Sequence, residues 1–503
     1  MSGRLSALRV AAFVWLFASS ALANGRMPGA NDLVLSAADP ARLVARATFG
    51  IVQSADHGAT WSWICEQAID VSGVIADPPL ALSEDGSLVL LPPTGSALVS
   101  ADRGCNWVRA SAPLAATRGA DLTVDPSDAK RVLVVTSTLS VVDDKGFGSY
   151  ENLIVETRDD ARSWQLLATL PPDFEAETIE VAHSDARRIY VSGSDAHNPR
   201  LGVILRSEDG GATWSKSTLA LPAGTGSLWI SGIHPSDADR LWVRVAARGD
   251  TIGLLPARLY LSTDKGATFA MLASTTKGMF GFALSPDGSS LAYGGPGDGL
   301  YVGPSDGSAF VKQSALAVRC LRWPRQDALY ACASEPADPF SVGVSSDSGR
   351  SFRALYRLVD TCPATCAAET SFAGSCQAAW SQTRPFIAAS AALCSVPWSA
   401  PRAAPADAGS SDASTLPLAT ASEGVGGASL AIDASLATPA APASVEAGAA
   451  PVPADPGSGC DCQVSTGTTR APLAASAAWL LLAVLGLRTR QRRRERAHAR
   501  RAS

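Results

Sequence analysis

The sequence predicts an all-β fold built from about seven repeats, and three observations support this prediction. The 503-residue chain is rich in turn-forming residues, with 43 Gly and 32 Pro, and its 12 Trp nearly equal its 13 Phe. A short acidic motif recurs between residues 54 and 352, and a second turn element recurs upstream of it. Frequent turns, many Trp and a repeat of about 47 residues are typical of a repeat architecture made of strands.

The recurring motif has the pattern Ser/Thr-x-Asp-x-Gly-x-Thr/Ser-Trp/Phe. Its acidic and aromatic residues are Asp56 and Trp61, Asp102 and Trp107, Asp159 and Trp164, Asp209 and Trp214, Asp264 and Phe269, and Asp347 and Phe352. The last two copies start 83 residues apart, at Ser262 and Ser345, and a degenerate copy at 303–310 divides this interval into 41 and 42. The motif therefore defines seven units.

The second element is a polar turn followed by an apolar run, as in 38–44, 125–133 and 234–242. Each unit then reads as strand, polar turn, strand, variable loop, strand, motif turn and strand. Four strands in about 47 residues is the size of one propeller blade. The sequence therefore predicts a β-propeller of about seven four-stranded blades within residues 24–358.

These motifs resemble the BNR/Asp-box repeat superfamily, which includes sialidases, xyloglucan-active glycosidases, sortilin-type receptors and photosystem II assembly factors. The resemblance covers about residues 32–358 and implies that the motif turns lie on the rim, away from the central channel. In each turn the Asp accepts backbone hydrogen bonds, the Gly supplies a positive φ, and the aromatic ring packs between sheets. The six Asp residues are therefore predicted to be structural rather than catalytic.

No catalytic residue is assigned from the sequence. The early Arg-Ile-Pro string of sialidases is absent, since the nearest string, at 187–190, fits a strand after a turn. A two-carboxylate glycosidase stays open as an alternative, because its acids could come from separate blades. The five His are scattered without metal-ligand spacing, and no phosphate-binding loop is present, so neither a metal nor a cofactor is expected.

The loops between the second and third strands are longest in units three to five and form the candidate ligand face. Ordinary solvated loops are the alternative interpretation. The candidate residues are Asp143, Asp144, Phe147, Tyr150, Asp195, His197, Arg200 and Arg248. The expected ligand is a protein or a carbohydrate.

Both ends of the chain carry export and anchoring signals. Residues 1–23 combine two Arg, an apolar run and Ala21-Leu22-Ala23, which predicts a cleaved signal peptide. Residues 400–459 are rich in Ala, Pro and Ser and predict a flexible stalk. Residues 471–487 carry no charge and are followed by eight Arg, which predicts a transmembrane helix with a cytoplasmic tail.

The segment 460–503 resembles the MYXO-CTERM class of bacterial sorting signals, because Cys460 and Cys462 precede the apolar helix and the Arg cluster. This resemblance implies a sorting or processing protease and an exported, membrane-anchored protein at the cell surface or outer membrane of a bacterium.

Export places the cysteines in an oxidising compartment, where disulfides are the expected state. Cys320 and Cys332 flank a turn on adjacent predicted strands and form a plausible cross-strand pair. Cys362, Cys366, Cys376 and Cys394 cluster in an appendix at 359–399, where two bridges are expected in one of three pairings. Zinc is the alternative for this cluster, and pairing of Cys65 with Cys105 is a further hypothesis.

The expected function is a surface-displayed propeller that binds protein or glycan. The net charge of −5 comprises +2 on the first 23 residues, +7 on the last sixteen and −14 on the body between them. Such an acidic body argues against nucleic acid as a partner. The alternatives are an extracellular glycoside hydrolase of sialidase-like type and a membrane-protein assembly factor.

Overall fold

Residues 30–356 form seven antiparallel four-stranded blades, each from one continuous stretch of chain, and the first blade gains a fifth strand from residues 361–363. The computed structural model describes residues 27–71, 77–93, 95–247, 255–335, 337–367, 369–390 and 394. The seven sheets confirm the predicted all-β propeller.

The strands are numbered in chain order, four to a blade. Blade 1 comprises β1 (Ala30–Leu35), β2 (Leu43–Ala47), β3 (Gly50–Ser54) and β4 (Trp61–Cys65); blade 2 comprises β5 (Leu80–Leu82), β6 (Leu88–Leu90), β7 (Leu98–Ser100) and β8 (Val108–Arg109). Blade 3 comprises β9 (Gly119–Asp125), β10 (Asp128–Val142), β11 (Gly148–Thr157) and β12 (Gln165–Leu170); blade 4 comprises β13 (Phe174–Ala182), β14 (Asp185–Asp195), β15 (Leu201–Ser207) and β16 (Ser215–Ala220).

The remaining blades follow the same order. Blade 5 comprises β17 (Ser227–His234), β18 (Asp237–Ala246), β19 (Arg258–Ser262) and β20 (Ala270–Ser274). Blade 6 comprises β21 (Gly281–Leu284), β22 (Ser290–Gly295), β23 (Gly299–Pro304) and β24 (Val311–Ser314); blade 7 comprises β25 (Cys320–Arg325), β26 (Ala328–Cys332), β27 (Val342–Ser345) and β28 (Arg353–Tyr356).

The first strands of the seven blades contact one another in a closed ring, β1–β5–β9–β13–β17–β21–β25 and back to β1. They therefore line the central channel. All seven motif copies connect the third and fourth strands of their blades, as the pattern predicts. Because antiparallel strands alternate in direction, the motif turns and the first turns share one face, and the loops between second and third strands occupy the other.

The motif aromatics pack between neighbouring blades. Trp164 of blade 3 lies in the apolar cluster shared by blades 2 and 3. Trp214 packs against the cluster of blades 3 and 4, and Phe269 against that of blades 4 and 5. Each ring therefore covers the interface with the blade that precedes its own. Burial of aromatic rings between sheets supplies much of the apolar area that holds blades together.

Blades 7 and 1 meet without exchanging a strand. The indole Nε1 of Trp61 donates to the carbonyl of Leu355 at 2.8 Å. Nearer the channel, Arg319 Nη1 donates to the amide oxygen of Asn31 at 3.0 Å. A fifth strand, β29 (Thr361–Pro363), then pairs in parallel with β4 on the outer edge of blade 1.

Helix α1 (Ser371–Phe386) follows β29 and packs against blade 1. Thr370 caps its first turn, with the side-chain hydroxyl accepting from Ala373 N at 3.4 Å. Trp380 of the helix lies beside Trp63 of β4, with ring centroids 5.4 Å apart. We call β29, α1 and their connections (residues 361–390 and 394) the C-terminal clamp.

Four disulfides are present among the described residues. Cys320 pairs with Cys332 across neighbouring strands, as expected. The prediction of two bridges inside the appendix is wrong, because only Cys362–Cys394 lies within it. The prediction of a Cys65–Cys105 pair is also wrong, since Cys65 bonds Cys376 and Cys105 bonds Cys366. The appendix folds back over blades 1 and 2, which places its cysteines beside those of the propeller.

Several predictions fall outside the described residues: the signal peptide (1–23), the stalk (400–459), Cys460, Cys462, the apolar segment 471–487 and Arg248. Across the described part of the chain, no helix combines the length and apolar character needed to cross a membrane.

Candidate functional site

The motif aspartates hold their own turns. In the first copy, Asp56 accepts hydrogen bonds from the Ser54 hydroxyl at 2.7 Å, the Thr60 amide at 2.9 Å and the Thr60 hydroxyl at 2.6 Å. Equivalent contacts, with Asn replacing Thr in the second copy, surround Asp102, Asp159, Asp209, Asp264 and Asp347. Every one of these carboxylates is thus occupied by its own turn.

The turn also needs positive φ at its fifth residue, which is Gly in five of these six copies. In the third copy Ala161 occupies that position with φ 65°. Gly104 shows a second reason for glycine, because a Cβ there would meet Ile64 Cδ1 at 2.1 Å. The motif therefore fixes backbone shape and blade packing together.

In the fourth and last copies, the hydrogen bonds of the turn favour the charged form of the carboxylate. The Thr213 hydroxyl and amide lower the pKa of Asp209 to about 2, and Ser351 does the same for Asp347. A permanently ionised carboxylate with all its partners inside one turn is a poor proton donor, which agrees with a structural role.

On the opposite face, blade 3 carries an extension that we call the ribbon, formed by residues 138–142 of β10 and 148–151 of β11. The β9–β10 pairing ends at Thr136, and the β11–β12 pairing begins at Asn152. Within the ribbon the two strands pair with each other, for example Leu139 with Tyr150 and Val142 with Gly148. The ribbon therefore projects beyond its blade.

The ribbon strand of β10 exposes apolar side chains. Leu139, Val141 and Val142 are 51%, 60% and 55% exposed. On the other strand, Tyr150 N donates to the carbonyl of Pro172, which ties β11 to the next connection. The β10 side is thus an apolar strand edge that faces solvent.

The predicted loop residues of units three and four do come together. The ring centroids of Phe147 and His197 lie 5.5 Å apart. Asp143 and Asp195 hold the two loops, since Asp143 Oδ1 accepts from the Phe147 amide at 2.8 Å and Asp195 Oδ1 from the His197 amide at 2.9 Å. Asp144 and Arg200 are exposed on this face, and Tyr150 OH contacts Glu175 at 3.4 Å.

A second polar cluster, which the sequence reasoning missed, lies in the channel. Asp32 of β1 pairs with Arg322 of β25 at 2.6 Å and approaches Arg46 at 4.0 Å. Across the channel, Asp121 of β9 accepts from the Ile179 amide at 3.2 Å, and Glu180 of β13 accepts from the Thr123 hydroxyl at 3.1 Å. Each of these groups projects from a first strand or its neighbour.

The channel environment shifts the pKa values of these acids in opposite directions. Burial, together with the charge of Glu180, raises the pKa of Asp121 to about 8, and burial raises the pKa of Glu180 to about 7. Burial also opposes ionisation of Asp32, but Arg322 and Arg46 outweigh it and lower its pKa. Acids with pKa values driven apart are the pattern expected of acid–base groups, although ion-pair networks also produce it.

The part of the channel wall formed by blade 5 is basic and aromatic. Arg244 lies over the ring of Trp229 at 4.6 Å, and burial lowers its pKa to about 10. Cavities of about 150 and 200 Å³ adjoin this wall, and both are lined by Ser231, Phe282 and Arg322. Each is smaller than a typical small-molecule site of roughly 300–1,000 Å³. In the described ranges no group of three His, Cys, Asp or Glu is arranged to hold a metal ion.

One signal could have located the channel cluster. Asp121 and Thr123 alternate with apolar residues on a first strand, as do Glu180 and its neighbours. In a propeller, polar residues at alternate positions of a first strand face the channel. Which of them meet across the channel depends on how the ring closes, because they come from blades far apart in sequence.

The fold and these sites define a seven-blade β-propeller with a disulfide-linked C-terminal clamp. No protein-family model matches the chain. The bifunctional protein FolD of Deinococcus radiodurans is 32% identical over 156 residues, covering 28% of this chain and 51% of that protein. The chain thus spans about half the length of the curated relative it matches.

Solved structures with similarity include an ancestral GH74 enzyme (14% identity, TM-score 0.47), matched over 66% of this chain and 46% of that one. Hydrazine synthase of Kuenenia stuttgartiensis matches over 66% and 99% (12%, TM-score 0.46), and YCF48 bound to D1 peptide over 64% and 92% (13%, TM-score 0.39). The chain covers less than half of the GH74 enzyme. Similarity at this level transfers no activity.

Proposed function

We propose that this chain is a protein-binding β-propeller and that the ribbon of blade 3 is its recognition surface. The observation that carries this proposal is the exposure of Leu139, Val141 and Val142 on a strand that projects beyond its sheet. Soluble proteins commonly protect such edges with charge, proline or a covering element, because exposed edges pair with other chains. Here the five-residue edge at 138–142 carries three exposed apolar side chains.

The proposed partner is an extended segment of another protein that adds to the β10 edge. Backbone hydrogen bonds would supply affinity, and alternate side chains of the segment would contact the ribbon's apolar residues. Asp144 at the tip favours a Lys or Arg in the partner. Phe147 and His197 form an aromatic flank beside this edge.

Site-specific photo-crosslinking tests the proposal on intact cells of the producing organism. A photoreactive amino acid replaces Val141 in one variant and Val311 in a matched control, because Val311 is equally exposed (59%) on the outer strand of blade 6. We expect one discrete crosslinked protein from position 141 and none from position 311. Equal crosslinking at both positions, or none at 141, would refute the ribbon as the recognition surface.

The double substitution Leu139→Ser with Val141→Ser provides an independent readout. It should lower the affinity for the crosslinked protein at least tenfold, since about two apolar contacts of roughly 1 kcal/mol each would be lost. The control Met271→Ser, which removes an equally exposed apolar side chain elsewhere, should leave affinity unchanged.

A glycoside hydrolase is the second candidate, and the channel acids favour it. With pKa values raised to about 8 and about 7, Asp121 and Glu180 both hold protons up to near neutral pH, whereas the arginine partners of Asp32 favour its ionised form. A proton donor and an ionised carboxylate that line one channel are the two groups that a glycosidase needs. Fluorogenic sialosides and glucans test this: turnover abolished by Glu180→Gln but retained by Asp144→Asn would support catalysis, and no turnover on any substrate would oppose it.

We further propose that the chain belongs to the BNR/Asp-box superfamily, a proposal supported by the shared hydrogen-bond pattern of six motif turns. We also propose that it is exported and anchored at the cell surface through residues 460–503. Protease shaving of intact cells should release the propeller. Replacing Cys460 and Cys462 with Ala should prevent its processing, whereas replacing Ser458 with Ala should not.

A further inference from the structure

Four blades place an arginine at the beginning of the second strand, directly after the first turn: Arg42, Arg131, Arg188 and Arg240. The positions are equivalent because the next residue pairs in each case with the first Ser or Thr of the motif, as Leu43 does with Ser54 and Val132 with Thr157. This internal repetition allows the surroundings of one arginine to be compared with those of another.

In blade 3 the arginine is buried and neutralised. Arg131 donates through Nη1 to Asp125 at 3.0 Å and through Nε to Glu156 at 2.8 Å. In blade 4, Arg188 pairs with Glu208 at 3.1 Å and with Asp239 of the next blade at 2.6 Å. A buried guanidinium is thus compensated by two carboxylates in each case, as the cost of an unpaired buried charge requires.

In blade 1, each position that corresponds to a carboxylate partner of Arg131 or Arg188 is neutral. Ala55, directly after the first Ser of the motif, replaces Glu208. Ser36, six residues before Arg42, replaces Asp125. Gln53, opposite the residue two positions after the arginine, replaces Glu156. Asp239 lies two residues before Leu241 of β18, and Gly86 lies two residues before Leu88 of β6, so Gly86 replaces Asp239. A Cβ at Gly86 would meet Arg42 Nη1 at 2.1 Å.

Arg42 nevertheless stays buried, at 7% exposure. Its Nη2 atom is enclosed and has no hydrogen-bond partner among the described residues. The nearest acids serve other groups: Asp39 accepts from the Ala41 amide, and Asp85 binds Arg162 at 2.6 Å. Burial lowers the pKa of Arg42, the like charge of Arg103 lowers it further, and the charges of Asp39 and Asp85 offset this lowering only in part.

We propose that Arg42, with Arg103 beside it, forms a binding site for a single oxyanion between blades 1 and 2. The anion supplies the negative charge that Asp125 and Glu156 provide in blade 3, and it accepts hydrogen bonds from Arg42. Arg103 is exposed on the motif turn of blade 2, so it stands at the solvent side of the site. The site lies on the face opposite the ribbon, and it is independent of the protein-binding proposal.

The ligand chemistry is that of a carboxylate, phosphate or sulfate, since a guanidinium binds each through paired N–H donors. Titration calorimetry of the full chain with sodium phosphate and with sodium acetate, at constant ionic strength set with chloride, tests the site and separates these sources. We expect one bound equivalent, and the anion that binds more tightly identifies the class. Absence of binding by both anions would overturn the proposal.

The decisive variant is Ser36→Asp, which restores the carboxylate found in blade 3. Ser36 Oγ accepts from the Asp39 amide at 3.0 Å, and Asp125 makes the same kind of contact with Ser127, so the turn tolerates the exchange. This variant should bind the anion at least tenfold more weakly and should unfold at higher urea in chloride alone. Unchanged anion affinity would contradict the site.

Arg42→Gln removes the charge and serves as the second variant. It should abolish anion binding, and the chain should unfold at the same urea concentration with and without phosphate. Arg240→Gln is the matched control, because it removes the equivalent arginine of blade 5, and it should retain binding. Loss of binding in the control alone would place the anion elsewhere and refute the assignment.

Discussion

At the scale of single residues, one carboxylate can organise a whole turn when its partners are close in sequence. Asp56 accepts from a hydroxyl two residues before it and from an amide and a hydroxyl four residues after it. These groups lose their acceptor if the carboxylate is removed, and a buried or half-buried donor without an acceptor is costly.

Asp56→Ala should therefore lower the free energy of unfolding by about 1–2 kcal/mol. Urea unfolding monitored by Trp fluorescence measures this change. Asp144→Ala, which alters an exposed carboxylate on the opposite face, is the control and should change stability little. Equal effects of both substitutions would contradict the structural role of the motif.

The channel acids make stability depend on pH. The pKa of Asp121 is about 8, above its value in the unfolded chain, so the folded protein binds a proton that the unfolded chain has lost. The contribution of this group is fully present below the unfolded pKa and is lost as pH rises toward 8. Asp121→Asn should make unfolding less sensitive to pH between 5 and 8.

Urea midpoints of wild type and Asp121→Asn at pH 5 and pH 8 test this prediction. The variant should gain relative stability at pH 8, by on the order of 2 kcal/mol, because each unit of pKa difference corresponds to about 1.4 kcal/mol and the partial exposure of Asp121 reduces the effect. Parallel pH dependence of the two proteins would show that Asp121 does not hold its proton.

At the scale of elements, the C-terminal clamp joins parts of the chain that lie far apart in sequence. It bonds blade 1 through Cys65–Cys376 and blade 2 through Cys105–Cys366, with separations of 311 and 261 residues. The strand β29 covers the outer edge of β4, so the clamp also satisfies backbone groups that an outermost strand leaves open.

The two bridges should differ in their effect on stability. Cys65 and Cys376 are fully buried, so replacing both with Ser removes a cross-link and also buries two hydroxyls. Cys105 and Cys366 are half-buried, and their replacement removes the cross-link alone. Thermal unfolding should show the larger loss for the Cys65/Cys376 pair, and the opposite order would contradict this reasoning.

At the scale of the whole molecule, the ring closes through side chains and the clamp rather than through a shared blade. Trp61 Nε1 donates both to Gly58 within its own turn and to Leu355 of blade 7. Among the described residues, Trp214 Nε1 makes the equivalent local bond, to Gly211 at 3.0 Å, and no second one. Because the two residues occupy the same motif position, comparing them distinguishes the contribution of the turn from the contribution of ring closure.

Trp61→Phe should loosen the seam between blades 7 and 1, because the ring keeps its packing but loses the bond to Leu355. Hydrogen exchange should become faster in β1 and β28 and stay unchanged in blade 4. Trp214→Phe should leave the seam protected. Faster exchange at the seam in both variants would mean that the Leu355 bond does not hold the ring closed.

Much of the fold could be predicted from the sequence because it rests on local information. The motif encodes a turn in eight residues, and its spacing gives the number of blades. The cross-strand pair Cys320–Cys332 could be predicted for the same reason, since a short turn sets the register. The loops of units three and four belong to consecutive repeats, so their proximity could also be predicted, and Phe147 contacts His197.

The tertiary structure decided everything that depends on ring closure. The pairing of Cys65 and Cys105 with the appendix and the meeting of Asp32 with Arg322 join residues that lie far apart in the chain. The neutral residues at the carboxylate positions around Arg42 become apparent only when blades are compared. The sequence assigns each of these residues to a strand but does not determine which residues it contacts. Their contacts depend on how seven sheets and the returning C-terminus pack, because the free energy of those contacts comes from burial between elements rather than from spacing along the chain.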